Sequence, residues 1–167
     1  MTARLILEIV KLNRQIERIT NGQVSYIDDE NLATDSSIRF WIEPNDGLWA
    51  GGSWKFKVVF PESYPDSPPT VMCESHDLLH PHINENCGRI CFNLLEHDWN
   101  SNCSVVDVIM GMLYLFYQPD WDDQLTYHFI EFNNKTEGFN VEGARQKIQT
   151  RIASTKTPLN PVDESLF

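Results

Sequence analysis

The residues best equipped for chemistry lie in one stretch, 80–99, HPHINENCGRICFNLLEHDW. It opens on His80-Pro81-His82, carries Cys87 and Cys91, and closes on Trp99. A cysteine thiolate is both a strong nucleophile and a good leaving group, which suits it to acyl transfer through a covalent intermediate. Pro81 fixes its own φ and restricts His80. Asn84, Asn86 and Gly88 read as a turn, because Asn and Gly tolerate left-handed backbone. Cys91 therefore follows a constrained loop, where its thiol can face a groove and not the core. The same stretch admits other uses. His80, His82, Cys87 and Cys91 form H-x-H followed by C-x3-C, four competent zinc ligands, although Pro81 stiffens the first pair. A Cys87–Cys91 disulfide would make a redox switch, which a reducing compartment opposes. A buried structural thiol is the common fate of a single cysteine.

The rest of the chain must position that stretch. At 167 residues it is the size of one domain, and its 41% hydrophobic content is enough for a core. A net charge of -11 argues against nucleic acid as the main partner. No run of about 18 apolar residues is present, so no membrane span is expected. The N-terminal MTARLILEIVKLNRQ has charges at positions 4, 8 and 11 and does not read as a signal peptide. A cytosolic and nuclear location is the expectation, with reduced cysteines.

Residues 3–19 read as an amphipathic helix with Leu5, Leu7, Ile9, Leu12, Ile16 and Ile19 on its apolar face. Arg4, Lys11, Arg14 and Arg18 share a stripe. It is either a solvated face paired with Glu8 and Glu17 or a docking surface for an acidic partner. Asn21-Gly22 ends the helix. Strands are expected over 24–27, 38–42, 54–60 and 71–74, with Trp54, Phe56, Val58 and Phe60 alternating inward. Tyr64-Pro65-Asp66-Ser67-Pro68-Pro69 is neither central strand nor helix interior. Ser104 caps a second helix over 104–117, with Asp107 at the third helical position and Val105, Val108, Ile109, Met112, Leu113 and Phe116 inward. Two further helices are expected over 125–133 and 143–152. The fold class is thus α+β: an N-terminal helix, a four-stranded antiparallel meander, an irregular loop carrying Cys91, then a central helix and C-terminal helices. One domain spans 1–153, and 154–167, with two prolines, reads as a flexible tail.

In that order, the residues resemble a ubiquitin-conjugating enzyme. The similar features run over residues 3 to about 153. They are the N-terminal helix, Tyr64-Pro65-x-x-Pro68-Pro69, His80-Pro81, Gly88-x-Ile90-Cys91, Leu94-Leu95, Trp99 and Pro119-x-x-Asp122-Asp123-x-Leu125. Two stretches, PPTVMCES from Pro68 and GMLYLF from Gly111, look most like the neddylation enzymes. The helix begins almost at Met1, without the extension those enzymes use for docking, so the modifier stays open between ubiquitin and its neddylation relative.

The resemblance implies that Cys91 accepts the modifier from an activating enzyme as a thioester and passes it, usually with a ligase, to a substrate lysine. ATP is used by the activating enzyme upstream, and no cofactor or metal is bound directly. His82 stands where the family has the asparagine credited with holding the loop or stabilising the oxyanion. An imidazole N–H could replace it, and Asn84 is a second candidate for the lost amide. By family position Asp123 handles the incoming lysine, and Asn93 lines the same mouth. His80, Pro81 and Trp99 brace the loop. Asp107, Met110, Gly111 and Tyr114 would hold the donor modifier, and Arg4, Lys11, Arg14 and Arg18 would meet the activating enzyme. Asp66 and Ser101 replace an apolar residue and a proline on the ligase-facing surface, which should alter ligase binding. The segments from Pro69 to His80 and from His80 to Cys91 each look one residue longer than usual. The chain is expected to be a monomer. The alternative is a non-catalytic binding module on the same fold.

Overall fold

The structure is a computed structural model and describes residues 2–27, 36–122, 126–134 and 138–156. Helix α1, Ala3–Ile19, starts at Thr2, whose hydroxyl accepts the Leu5 N–H. It buries Leu5, Ile9, Leu12 and Ile16. Leu7, expected on that face, is 68% exposed and shares an outer patch with Ile6 and Val10. The reason is angular: the inward face follows spacings of three and four, and Leu7 is only two residues from Leu5 and from Ile9. Asn21 and Gly22, both at positive φ, end the helix.

A four-stranded antiparallel meander follows, β1 Val24–Ile27, β2 Ser37–Ile42, β3 Trp54–Val59 and β4 Thr70–Cys73. The register pairs Phe40 with Phe56 and Ile42 with Trp54, so one face carries a continuous apolar row. Trp54, Phe56 and Val58 are buried on β3, while Lys55 and Lys57 are half-exposed on its outer face. On that outer face Arg39 and Lys55 both meet Glu74, at 3.0 and 3.6 Å.

Between sheet and central helix lies the segment with Cys91, which contains one short helix, α2 Asn93–Glu96. The central helix α3, Val105–Tyr117, is capped reciprocally by Ser104 and Asp107. Its buried set adds Leu115 to the six residues expected. Leu115, Phe116 and Met112 place this helix under the sheet, with the Phe116 ring 5.6 Å from Trp54 and 6.2 Å from Phe56. Residues 127–132, expected to be α-helical, form a 3-10 helix, Tyr127–Phe132, with a hairpin of β5 Asn133–Asn134 and β6 Gly138–Phe139 after it. Thr126 caps that turn through the His128 N–H, and Phe129 fixes it to the core. Helix α4 runs over Val141–Lys156, longer at both ends than expected and three residues past 153. The remainder of the expected tail, 157–167, lies outside the described residues.

Candidate active site

The loop before Cys91 is a hairpin. Ile83 and Ile90 pair across it, and Asn84 N–H reaches the Arg89 carbonyl at 2.9 Å. At its tip the Asn84 side chain accepts the N–H groups of Asn86 and Cys87, at 3.0 and 3.2 Å. Asn84 is therefore engaged in the turn through its side-chain oxygen, and it lines the cavity beside Cys87. Gly88, at φ +70°, closes the tip and lies against β4, where an added Cβ would stand 2.3 Å from the Cys73 carbonyl oxygen. At the base, the Cys91 N–H points to the His82 carbonyl at 3.4 Å, which fixes the backbone of the thiol against His80-Pro81-His82.

That tripeptide is buried throughout, and its two rings work in series. His80 Nε2 lies 3.2 Å from the Leu115 carbonyl on α3, and its Nδ1 accepts the His82 N–H at 3.2 Å. A proton therefore sits on Nε2 and none on Nδ1. Burial, then the neighbouring His82, holds the His80 pKa down at about 3, against the opposing pull of the Leu115 carbonyl. His80 is thus a neutral strut, its ring tilted by 34° against the Trp49 ring with centroids 4.5 Å apart. Trp49 in turn donates its Nε1–H to the Leu79 carbonyl at 2.7 Å.

His82, expected as a donor to the oxyanion, has one ring nitrogen engaged elsewhere. Its Nε2 accepts the backbone N–H of Asp120 at 2.8 Å. A nitrogen that accepts cannot also donate, so Nε2 is not available to an oxyanion, and the one N–H of the neutral ring is on Nδ1. The ring instead joins the catalytic loop to the segment after α3.

A groove of about 310 Å³ runs between that segment, α2 and α3. His82, Asn93, Tyr114, Gln118 and Asp120 present polar groups to it, and Phe92, directly after the half-buried Cys91, forms part of its apolar floor. Gly111 is matched to Phe92: a Cβ there would come 2.7 Å from the ring. Met110 and Tyr114 stand exposed on the same side of α3, at 37% and 61%. Asp107 is exposed too, but its carboxylate accepts from the Ser104 N–H and hydroxyl at 2.8 and 2.6 Å and so serves the helix first. Asp120 accepts the Asp122 N–H through its own carboxylate, and Trp121 between them stacks 4.1 Å from Phe139. Asp123, expected at the lysine, lies outside the described residues.

The other cysteines do not compete for the groove. Burial pushes the Cys73 thiol up to about 12, and its sulfur lies 3.2 Å from the Ser75 carbonyl. Cys87 is exposed and lines a separate cavity of about 380 Å³ with Cys73, His76 and His128. None of the four is in a disulfide. The suggested zinc set is not assembled: both His80 nitrogens and His82 Nε2 are taken up as described, and among the described residues no three His, Cys, Asp or Glu converge for a metal.

Trp99 braces a second junction. Its indole N–H reaches the Pro65 carbonyl at 2.8 Å, and its ring lies 5.9 Å from Tyr64. Glu8, which sequence reasoning saw only as a surface partner, accepts from Arg4 at 2.6 Å, the Tyr64 hydroxyl at 2.6 Å and the Val105 N–H at 3.1 Å. Arg4 also donates to the carbonyls of Ser101 and Cys103, at 2.5 and 2.9 Å. Arg4 is thus drawn out of the basic stripe into a structural junction, while Lys11, Arg14 and Arg18 stay exposed along α1. Asp66 and Ser101 are both exposed beside that junction. Glu8, Leu115 and Trp121 were not legible as site residues, because their partners lie in distant segments.

A family profile described as "Ubiquitin-conjugating enzyme" matches residues 6–145. The chain is 34% identical over 149 residues to the NEDD8-conjugating enzyme UBC12 of Kluyveromyces lactis, covering 82% of this chain and 76% of that one. It is 36% identical over 99 residues to the enzyme of that name from Eremothecium gossypii, where the match covers 59% of this chain and 53% of the other, about half its length. Among solved structures, Saccharomyces cerevisiae Ubc12 shares the fold with a TM-score of 0.71 at 24% identity, covering 87% of this chain and 75% of that one. A putative ubiquitin conjugating enzyme from Plasmodium yoelii does so at 0.73 and 18%, covering 92% and 96%. With the profile spanning most of the chain and the matched residues including the whole loop around Cys91, the chain belongs to the ubiquitin-conjugating enzyme family.

Proposed function

We propose that this protein carries a ubiquitin-like modifier as a thioester on Cys91 and transfers it to a lysine amine, and that the modifier is of the NEDD8 class. The observation that carries the reading is the placement of Cys91. It is half-buried at the base of a hairpin whose backbone is tied to His82, and the next residue, Phe92, floors a groove walled by α3. The NEDD8 assignment rests on the names of the relatives, several of which are NEDD8-conjugating enzymes at 31–36% identity. In the proposed reaction the Cys91 thiolate attacks the modifier's thioester on the activating enzyme, and the activating enzyme's thiolate leaves. A neutral lysine amine then attacks the Cys91 thioester, the Cys91 sulfur leaves, and the amine proton passes to a base or to solvent. Asn93 borders the attack path, and Asp123 is proposed to orient the amine. Met110, Gly111 and Tyr114 form the wall against which the tethered modifier would be held, which lowers its entropy and aligns its C-terminus. Lys11, Arg14 and Arg18 are proposed for the activating enzyme. A ligase surface would lie where Asp66 and Ser101 flank Trp99, and ATP would be consumed upstream.

The test is charging. The protein is incubated with ATP and the NEDD8 activating enzyme with its modifier, and separately with the ubiquitin pair, then resolved without reductant. A thiol-sensitive adduct with the NEDD8 pair, lost in Cys91→Ala and kept in Cys87→Ala, is the expected result. Charging with ubiquitin alone would overturn the modifier assignment. No adduct with either pair from folded protein would overturn the carrier reading.

A further inference from the structure

The Asp120 N–H on His82 has a consequence for the transfer step, if Cys91 is the carrier proposed above. We propose that His82 is a positioning residue whose unprotonated ring holds residues 118–122 against the groove, so that transfer to lysine runs only while Nε2 is free of a proton.

The geometry gives the bond a direction. A backbone N–H can only donate, so Nε2 must offer a lone pair and the neutral ring keeps its proton on Nδ1. Protonation would put an N–H against the Asp120 N–H at 2.8 Å, with no acceptor between them. One side must then move. His82 is 6% exposed, and its backbone is fixed through His80 to the Leu115 carbonyl of α3. Asp120 is exposed. The segment therefore yields, not the ring. Trp121 anchors the next residue, stacked 6.2 Å from Trp49 and 4.1 Å from Phe139, so displacement is confined to the stretch that walls the groove, Gln118 to Asp120.

Among the described residues, these groups flank the ring. From its own loop comes the neutral His80 ring, 5.8 Å away. From the segment after α3 come the carboxylates of Asp120 and Asp122, which favour a charged imidazole. From α3 comes the Tyr114 phenol, on the same groove. From the strand side comes Cys91, held by its N–H on the His82 carbonyl. Burial and the acceptor role of Nε2 oppose the two carboxylates. A shift of about an ångström in groups that align a reacting thioester can change the rate by roughly 100-fold.

The experiment uses the full chain labelled with nitrogen-15 and carbon-13, titrated from about pH 8 to about pH 5, the range a histidine covers. The His82 ring carbons and the Asp120 amide are followed together. His82→Asn is the comparison, because its side-chain oxygen accepts the same N–H without titrating. Its amide spectrum shows whether the fold is kept, and His82→Gln serves if it is not. The Asp120 amide proton should move upfield with the midpoint of the His82 ring in the wild type and stay put in the variant. Single-turnover discharge of the Cys91 thioester to free lysine is measured over the same range. In the ratio of wild-type to variant rate the ionisation of lysine cancels. That ratio should be level above the midpoint and fall about tenfold per pH unit below it, as loss of one proton-free form requires. An Asp120 amide that ignores the His82 midpoint, or a ratio flat with pH, overturns the inference. Failure of the carrier reading has a separate signature: no thioester forms and the gating of transfer falls with it, while the amide titration is unaffected.

Discussion

Cys91 and Cys73 show how environment divides one side chain between two fates. Cys73 is buried at the end of β4 with its thiol pushed up to about 12, so at neutral pH almost none of it is thiolate. Alkylation of the native protein near pH 7.5, followed by mass spectrometry, should modify exposed Cys87 readily and leave Cys73 untouched until denaturant is added. Rapid labelling of Cys73 in the native state would contradict its burial. His80 gives a second residue-scale prediction. Its folded pKa of about 3 lies below the ordinary 6.5, so the folded state refuses a proton that the unfolded chain accepts. Protons bind the unfolded state more, and stability therefore falls as pH drops below 6.5, levelling off only near 3. At roughly 1.4 kcal/mol per pH unit, lowering the pH from about 6.5 to about 5 should remove about 2 kcal/mol from this residue. Urea unfolding at both pH values should show it, and His80→Asn should have a shallower dependence although it is less stable throughout.

Two glycines mark what the elements require. Gly88 sits at φ +70° with β4 backbone 2.3 Å from any Cβ, so Gly88→Ala must break the pairing of Met72 with Arg89. The expected loss is about 2–3 kcal/mol, read as a lower unfolding midpoint, with charging of Cys91 impaired in the fraction that stays folded. Gly111 faces a side chain and not backbone. Gly111→Ala gains about 1 kcal/mol of helix propensity and forces the Phe92 ring aside. Its stability should change by less than about 1 kcal/mol, while discharge of the thioester slows, because Phe92 is the neighbour of Cys91. A variant that keeps full discharge would show that the Phe92 ring does not set the groove. The cap of α3 is more local. Ser104→Ala removes an acceptor for the Asp107 N–H and one donor to its carboxylate, and should destabilise by about 1 kcal/mol without altering the groove.

At the scale of the molecule, Glu8 joins three elements that are far apart in the chain: α1, the Tyr64-Pro65 turn and the start of α3. Tyr64 is pushed above its usual range, by burial first and then by its bond to Glu8, so it remains a donor at any working pH. Glu8→Ala leaves the Tyr64 hydroxyl and the Val105 N–H without that acceptor and should cost about 2 kcal/mol in chemical denaturation. Hydrogen exchange should rise together in the first turn of α3 and the first half of α1. Exchange confined to α1 would show that the junction does not couple them. The ligase-facing surface proposed around Trp99 is built on this junction, since Arg4 also holds the carbonyls of Ser101 and Cys103.

The amino-acid sequence by itself determined the element order, because apolar spacing and turn residues act locally. Residues 3–19 are the helix that the spacing predicts, the four strands fall within one residue of the expected ends, and Ser104 with Asp107 is the expected cap. It also singled out Cys91, through the loop residues on either side. Tertiary structure decided what depends on distant partners. The helix expected over 125–133 became a 3-10 turn where Phe129 enters the core. Arg4 left the basic stripe for carbonyls about 100 residues away in the chain, at Ser101 and Cys103. His80 was expected to brace the loop and His82 to donate, and only the structure shows that His80 braces α3 and that His82 Nε2 accepts the Asp120 N–H. A ring nitrogen donates or accepts according to the atom that meets it, and that atom belongs to another part of the chain.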